Sequence, residues 1–253
     1  MLQEILSLNV FVFFMIMARM GTAVTMFPGF NASYVNLRFR LLVALAISFV
    51  LTPVLADSLP GLPESPAALA LMILGEVVIG AFLGTIARVL VAALQSAGSF
   101  ISLFSAMANA LIMDPVAEQQ SSVIAGFLST VGVLVIFTTG LHHLMLRAVV
   151  DSYVLFVPGQ ALAFGDFSEL LARHVSDSFA LGLKLAAPLA ITGLTYYIGL
   201  GLLGRLMPAL PVFFFGMPVQ IMMQISVLML VLSAIMMVFM DRFQSGMGAF
   251  LTP

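Results

Sequence analysis

The chain has 253 residues, of which 62% are hydrophobic and 8% charged, with a mean hydropathy of +1.19 and a formal net charge of −2. Soluble domains carry roughly 25% charged residues, so this composition excludes a soluble globule and points to a membrane or membrane-assembly protein. The nine basic residues form no run that argues for nucleic acid, and the absence of cysteine excludes disulfides and thiolate metal sites. Tryptophan is also absent, which leaves four tyrosines for any interfacial belt. A chain that does not meet lipid on every side fits that shortage.

A membrane crossing needs about 20 mostly apolar residues, and the tracts are read against that length. The first runs from Ile5 to Phe27 and stops at Pro28-Gly29. Glu4 precedes it and no Lys or Arg does, so it lacks the positive n-region of a signal peptide and is expected to be retained structure. Arg38 and Arg40 lie in the following loop. The second tract, Leu41 to Ala56, carries Pro53 near its end and leads into a turn-rich loop with Asp57 and Glu64. By the positive-inside tendency, the loop with the arginines faces the cytoplasm and the acidic one the far side. Ser65-Pro66 then reads as an N-cap followed by proline in the first turn.

The third tract, from Ala67 through Leu94 to Phe104, holds Glu76 and Arg88 and is too long for one crossing. A break is expected at Gln95–Ser99, where small and polar residues let a chain bend or pack closely. The stretch from Leu94 to Ser122 is the longest polar-leaning interval between the two great apolar tracts, and the chain is organised around it. Asp114-Pro115 reads as a further helix start, with the helix continuing past Gly126, Gly140, His142-His143 and Arg147 to Pro158. Asp166 with Glu169 gives a start resembling a capping box. Pro188 removes a backbone donor and predicts a kink against the carbonyl of Lys184. That helix is expected to end around Arg205–Pro208, and a final tract runs from Pro211 to Met240. The sum is an all-α, membrane-associated bundle of about six broken or kinked apolar helices, counted by the length a crossing requires.

Arg19, Glu76, Arg88, Asp151 and Lys184 stand inside apolar tracts, where each costs roughly 2.5–3.5 kcal/mol unless it faces protein or water. They serve either as structural pairs between helices or as a proton or substrate path. Glu76 and Arg88 are twelve residues apart, about 18 Å along a helix, so they do not pair with one another. For Glu76, Arg88, Asp151 and Lys184 the expected partners lie on other helices or subunits. Gly80 and Gly84 form a small-xxx-small pattern that lets two helix backbones approach. Adjacent His142 and His143 point about 100° apart on a helix, with no carboxylate at i+4, which argues against a metal site. The sequence has no Ser/His/Asp set, metal-ligand cluster or phosphate loop. No cofactor, metal ligand or catalytic residue is therefore assigned, and no enzyme activity is expected. Many of the eighteen methionines fall between Met207 and Met240, where an adaptable side chain suits either a helix core or a deformable seal. Phe213-Phe214-Phe215, next to Gly216 and Pro218, suits contact with a partner, since irregular backbone at membrane depth persists only where protein or water covers it.

Four passages carry a resemblance to one family: ARMGTAVTMFPGF; LRFRLLVALAISFVLTPVL; GEVVIGAFLGTIARVLVAALQSAGSFIS leading to MDP; and PVFFFGMPVQI. Together they resemble the FliR family of flagellar biosynthetic export-gate proteins, which has counterparts in virulence type III secretion. The resemblance implies a FliP-like part over residues 1 to about 175, followed by a FliQ-like helical hairpin over 176–253. It implies a non-enzymatic subunit that joins FliP and FliQ in a core channel for unfolded flagellar proteins, with FlhB and FlhA as neighbours, in the bacterial inner membrane at the flagellar basal body. It also implies a plug at residues 105–120, with Met107, Asn109, Leu111, Ile112 and Met113 as closing residues and Asp114-Pro115 anchoring the helix that follows. The alternatives are an injectisome counterpart and a secondary transporter of a small solute, the latter using Glu76, Arg88, Asp151 and Lys184. A transporter typically shows internal repeats, and none is convincing here.

Overall fold

The computed structural model describes residues 2–32, 34–105, 107, 111–114, 119–160, 162, 164–208 and 212–251. Among them are seven α-helices: α1 (Leu2–Met26), α2 (Leu37–Leu55), α3 (Pro66–Phe104), α4 (Val123–Thr138), α5 (Leu141–Leu155), α6 (Phe164–Leu206) and α7 (Val212–Gly248). Two short strands, β1 (Leu111–Asp114) and β2 (Gln119–Ser122), pair antiparallel with Leu111 opposite Ser122 and Asp114 opposite Gln119. Four of the long helical stretches, Leu37–Ser58, Pro66–Phe104, Phe164–Leu206 and Phe214–Gly248, are long and apolar enough to cross a membrane. A fifth span is available if α4 and α5 count as one broken crossing.

Local chemistry explains most boundaries. Asn36 caps α2 by accepting from the Arg38 amide at 3.0 Å, and the Ser65 hydroxyl accepts from the Ala68 amide at 3.1 Å as α3 begins. α6 ends at Leu206, within the Arg205–Pro208 signal. Four sequence expectations are corrected. The break expected at Gln95–Ser99 is absent, because α3 runs unbroken from Pro66 to Phe104. The helix start expected at Asp114-Pro115 is displaced to Val123: Leu111–Asp114 pairs with Gln119–Ser122 as β1 and β2, and Ser122 supplies the cap, accepting from the Ala125 amide at 3.1 Å. The single helix expected through Gly140 is two, because Gly140 adopts φ 76° and ends the run in a left-handed residue that glycine adopts freely. α7 also extends past the expected Met240 to Gly248.

The chain folds as two compact units, each built from separated stretches. One comprises residues 1–89, 140–174 and 244–253; the other comprises 90–139 and 175–243. In the first, Phe11, Val12, Met15 and Ile16 of α1 bury against Leu55 and Tyr153. Phe82 stacks on Phe167 at 4.4 Å between centroids and meets Phe156 and Phe250 edge-on. α5 contributes Met145, Ala148, Val149, Ser152 and Tyr153, an i, i+3, i+4, i+7, i+8 face that only a helix presents.

In the second unit, α4 buries Ile124, Ala125, Leu128, Gly132 and Ile136. A Cβ on Gly98 would stand 2.3 Å from Ala125 Cα, and one on Gly182 would stand 2.9 Å from the Ala93 carbonyl oxygen. The small residues of 95–99 therefore serve close packing on an intact helix.

Candidate functional site

Glu76 lies 1% exposed on α3, one turn before Gly80, and its partner is Arg19 on α1, which is fully buried. Arg19 Nε donates to Glu76 Oε2 at 2.6 Å, and Nη2 donates to Oε1 at 2.9 Å. This bidentate fork is the strong form of a charge pair. Nη1 donates to Ser152 Oγ at 3.0 Å, and Nη2 also donates to the Phe156 carbonyl at 2.9 Å. The guanidinium carbon stands 3.8 Å from the centroid of the Tyr153 ring. Phe156 is the C-cap of α5, whose last carbonyls have no helical partner. One arginine thus binds α1, α3 and the end of α5. Both Glu76 oxygens are thus bonded to the one guanidinium.

Gly80 and Gly84 make the helix contact beside this pair. A Cβ on Gly80 would fall 2.3 Å from the Arg19 carbonyl oxygen, and one on Gly84 would fall 2.6 Å from Met26 Cβ. Glycine at both positions lets α3 lie directly on the backbone of α1.

The other charges are placed differently. Asp151 is partly buried, with Arg147 3.6 Å away at i,i+4. Arg88 and Lys184 are exposed on the single chain and take part in no ion pair among the described residues. His142 and His143 lie with ring centroids 4.0 Å apart. Among the described residues no group of three or more His, Cys, Asp or Glu is placed to hold a metal ion.

Of the proposed closing residues, Met107 is half-buried and its amide donates to the Ser102 carbonyl at 3.2 Å. Leu111, Ile112, Met113 and Asp114 form β1, described by backbone alone. Asn109 and Pro115 lie outside the described residues. The chain therefore leaves α3 at Ser105 and returns along β2 into the Ser122 cap, whose hydroxyl also reaches the Gly98 carbonyl at 3.4 Å.

Sequence reasoning missed the pairing of Arg19 with Glu76 and passed over Gln220 and Gln224 on α7. Both glutamines are buried, at 0% and 1% exposure. Their signal was present: two amides four residues apart in the apolar run PVQIMMQI.

A model of the bacterial export proteins, family 1, matches residues 10–246. The chain belongs to that family. It is 33% identical over 244 residues to the flagellar biosynthetic protein FliR of Caulobacter vibrioides, covering 96% of this chain and 97% of the relative. FliR of Escherichia coli is 30% identical over 193 residues, covering 76% and 72% respectively. The Yop proteins translocation protein T of Yersinia pestis is 27% identical over 183 residues, covering 70% and 69%. In this member of the family the apolar helices leave much greasy surface uncovered. Only 17% of the apolar window of Leu37–Ser58 and 22% of that of Phe214–Gly248 are buried, against 56% for Pro66–Phe104.

Proposed function

We propose that this chain is a structural and gating subunit of the flagellar protein-export apparatus, seated in the bacterial inner membrane at the basal body. The observation that carries the reading is the 33% identity to FliR along 96% of the chain, joined to helices apolar enough to span a membrane. On this reading the chain joins FliP and FliQ in a core channel, beside FlhB and FlhA, and unfolded flagellar subunits pass through without chemistry on this chain. The part up to about residue 175 is FliP-like, and 176–253 is the FliQ-like hairpin. Residues 105–120 close the idle passage, and Arg88, Lys184 and the exposed faces of α2 and α7 meet sister subunits or lipid.

An injectisome role is the second reading, favoured by the similarity to the Yersinia translocation protein. The flagellar reading is preferred because its relative matches more of the chain at higher identity. A solute transporter working through Glu76 has less support, since Arg19 already occupies both carboxylate oxygens.

The test is direct. A strain lacking the chain should stop secreting flagellar subunits. Purified complex carrying a shortened 105–120 segment should release entrapped potassium ions from vesicles that the unaltered complex keeps sealed. An assembled complex that stays equally tight after the shortening would show that the segment is not the closure.

A further inference from the structure

α2 is the least covered of the four long apolar stretches, with 17% of its window buried. Its buried stripe is Ala44, Ser48 and Leu55. On the remaining surface Leu42, Phe49, Val50 and Val54 are each 63–73% exposed. That surface makes no polar demand. Residues 41–56 contain no charged side chain and no side-chain amide. The two hydroxyls are satisfied from within the chain: Ser48 Oγ donates to Met17 Sδ of α1 at 3.7 Å, and Thr52 Oγ1 donates to the Ser48 carbonyl at 2.8 Å.

The two ends of the helix differ from its middle and from each other. α2 is 19 residues long, about 28 Å at the helical rise, which matches the roughly 30 Å hydrocarbon core of a bilayer. Arg38 and Arg40 stand at its start, and Tyr34 is 73% exposed in the turn before them. Arg40 Nη2 donates to the carbonyls of Ala32 and Val35, which ties that turn to the helix. The Arg38 side chain is exposed and takes part in no ion pair or hydrogen bond among the described residues. Beyond the other end, Asp57 and Glu64 are exposed. Tyrosine and arginine beside an apolar stretch of core length are the residues that sit at a membrane interface.

A protein partner fits this surface less well. Helices that pack in a membrane meet through small residues, as α3 meets α1 at Gly80 and Gly84, and α2 contains no glycine. Contact with protein also gives no reason for the bare stretch to match the thickness of a bilayer, or for opposite charges to mark its two ends.

We infer that the open face of α2 is a lipid-facing surface, with Tyr34 and Arg38 seated among the headgroups of an anionic phospholipid leaflet. The inference rests on the reading that the chain lies in the bacterial inner membrane, and narrows it by giving α2 to lipid in place of a sister subunit. Acyl chains lie along Leu42, Phe49, Val50 and Val54. Arg38 supplies the free charge that favours a net-negative lipid over a zwitterionic one, while Arg40 holds the turn that carries Tyr34.

The chain has no tryptophan, so a tryptophan reporter on α2 is read as the difference from the unaltered complex. Phe49→Trp and Leu42→Trp, both on the open face, are placed as assembled complex in vesicles of phosphatidylcholine or phosphatidylglycerol brominated midway along the acyl chains. Bromine should quench both reporters. Phosphatidylglycerol should be preferred by about fivefold, the bias that one arginine near the surface commands toward anionic lipid. Arg38→Gln added to either reporter should abolish that preference and leave quenching by phosphatidylcholine unchanged. Leu230→Trp on α7, 80% exposed, separates the two readings. Dark-free, unquenched reporters on α2 beside a quenched Leu230→Trp show α2 covered by protein, which overturns the inference and leaves the membrane seat standing. If all three escape quenching, both readings fall. A preference for phosphatidylglycerol that is absent, or that survives Arg38→Gln, overturns the headgroup role of Arg38. Failure of both α2 reporters to assemble also overturns the inference, since a lipid-facing position accepts a larger aromatic ring.

Discussion

Arg19 has no exposed surface, yet it carries a permanent charge into an apolar helix. The desolvation this requires is offset by Glu76, Ser152, the Phe156 carbonyl and the Tyr153 ring together. Breaking such a pair from one side leaves an uncompensated buried charge, at a cost of about 3–5 kcal/mol, whereas replacing both partners with apolar residues is often close to neutral. Arg19→Met or Glu76→Met alone should therefore sharply lower the thermal stability of the detergent-solubilised complex. The double variant should recover much of the loss. Because the carboxylate is neutralised in place, the double variant should keep appreciable export. Abolished export in a stable double variant would move Glu76 from structure to proton transfer.

Helix-to-helix contacts raise the question of what small residues do. At Gly80 the nearest obstacle is backbone, the Arg19 carbonyl oxygen 2.3 Å from an added Cβ; at Gly75, on the same helix, an added Cβ meets nothing within 4 Å. Gly80→Ala should thus destabilise by about 1–3 kcal/mol, the usual range for overpacking. Gly75→Ala should be neutral or slightly stabilising through helix propensity. Equal melting temperatures for the two would contradict the packing described. The same contacts explain which boundaries could be read from sequence. Ser65-Pro66 is a local signal and was legible, since a cap hydroxyl needs only the amides of its own first turn. Gln95–Ser99 was misread as a break because its small residues answer to Ala125 and Gly182, distant in sequence. Asp114-Pro115 was misread as a start because β1 pairs with β2 and leaves Ser122 to cap α4. The Arg19–Glu76 pair spans 57 residues, and nothing in local spacing chooses Arg19 over the other arginines. The hydrogen bond from Gln220 Nε2 to the Phe104 carbonyl reaches further still, across 116 residues. The all-helical class was legible from apolar tract lengths, whereas the identity of each buried partner depends on packing that one sequence does not display.

For the whole molecule, the central claim concerns uncovered apolar surface. Leu230, Met229, Phe214 and Met222 on α7 and Phe49 on α2 are each 71–80% exposed on the single chain. On each helix, apolar surface left open to this extent marks a protein or membrane interface. The exposed Arg88 and Lys184 fit a surface covered partly by protein, since a charge facing lipid alone is costly. The decisive measurement is the mass of the intact complex recovered through an affinity tag on this chain in mild detergent. The account predicts one defined hetero-oligomer containing several other export subunits, with this chain inseparable from it until harsher detergent dissolves the assembly. Recovery of a stable, solitary chain that restores export when returned to membranes lacking the other subunits would contradict it.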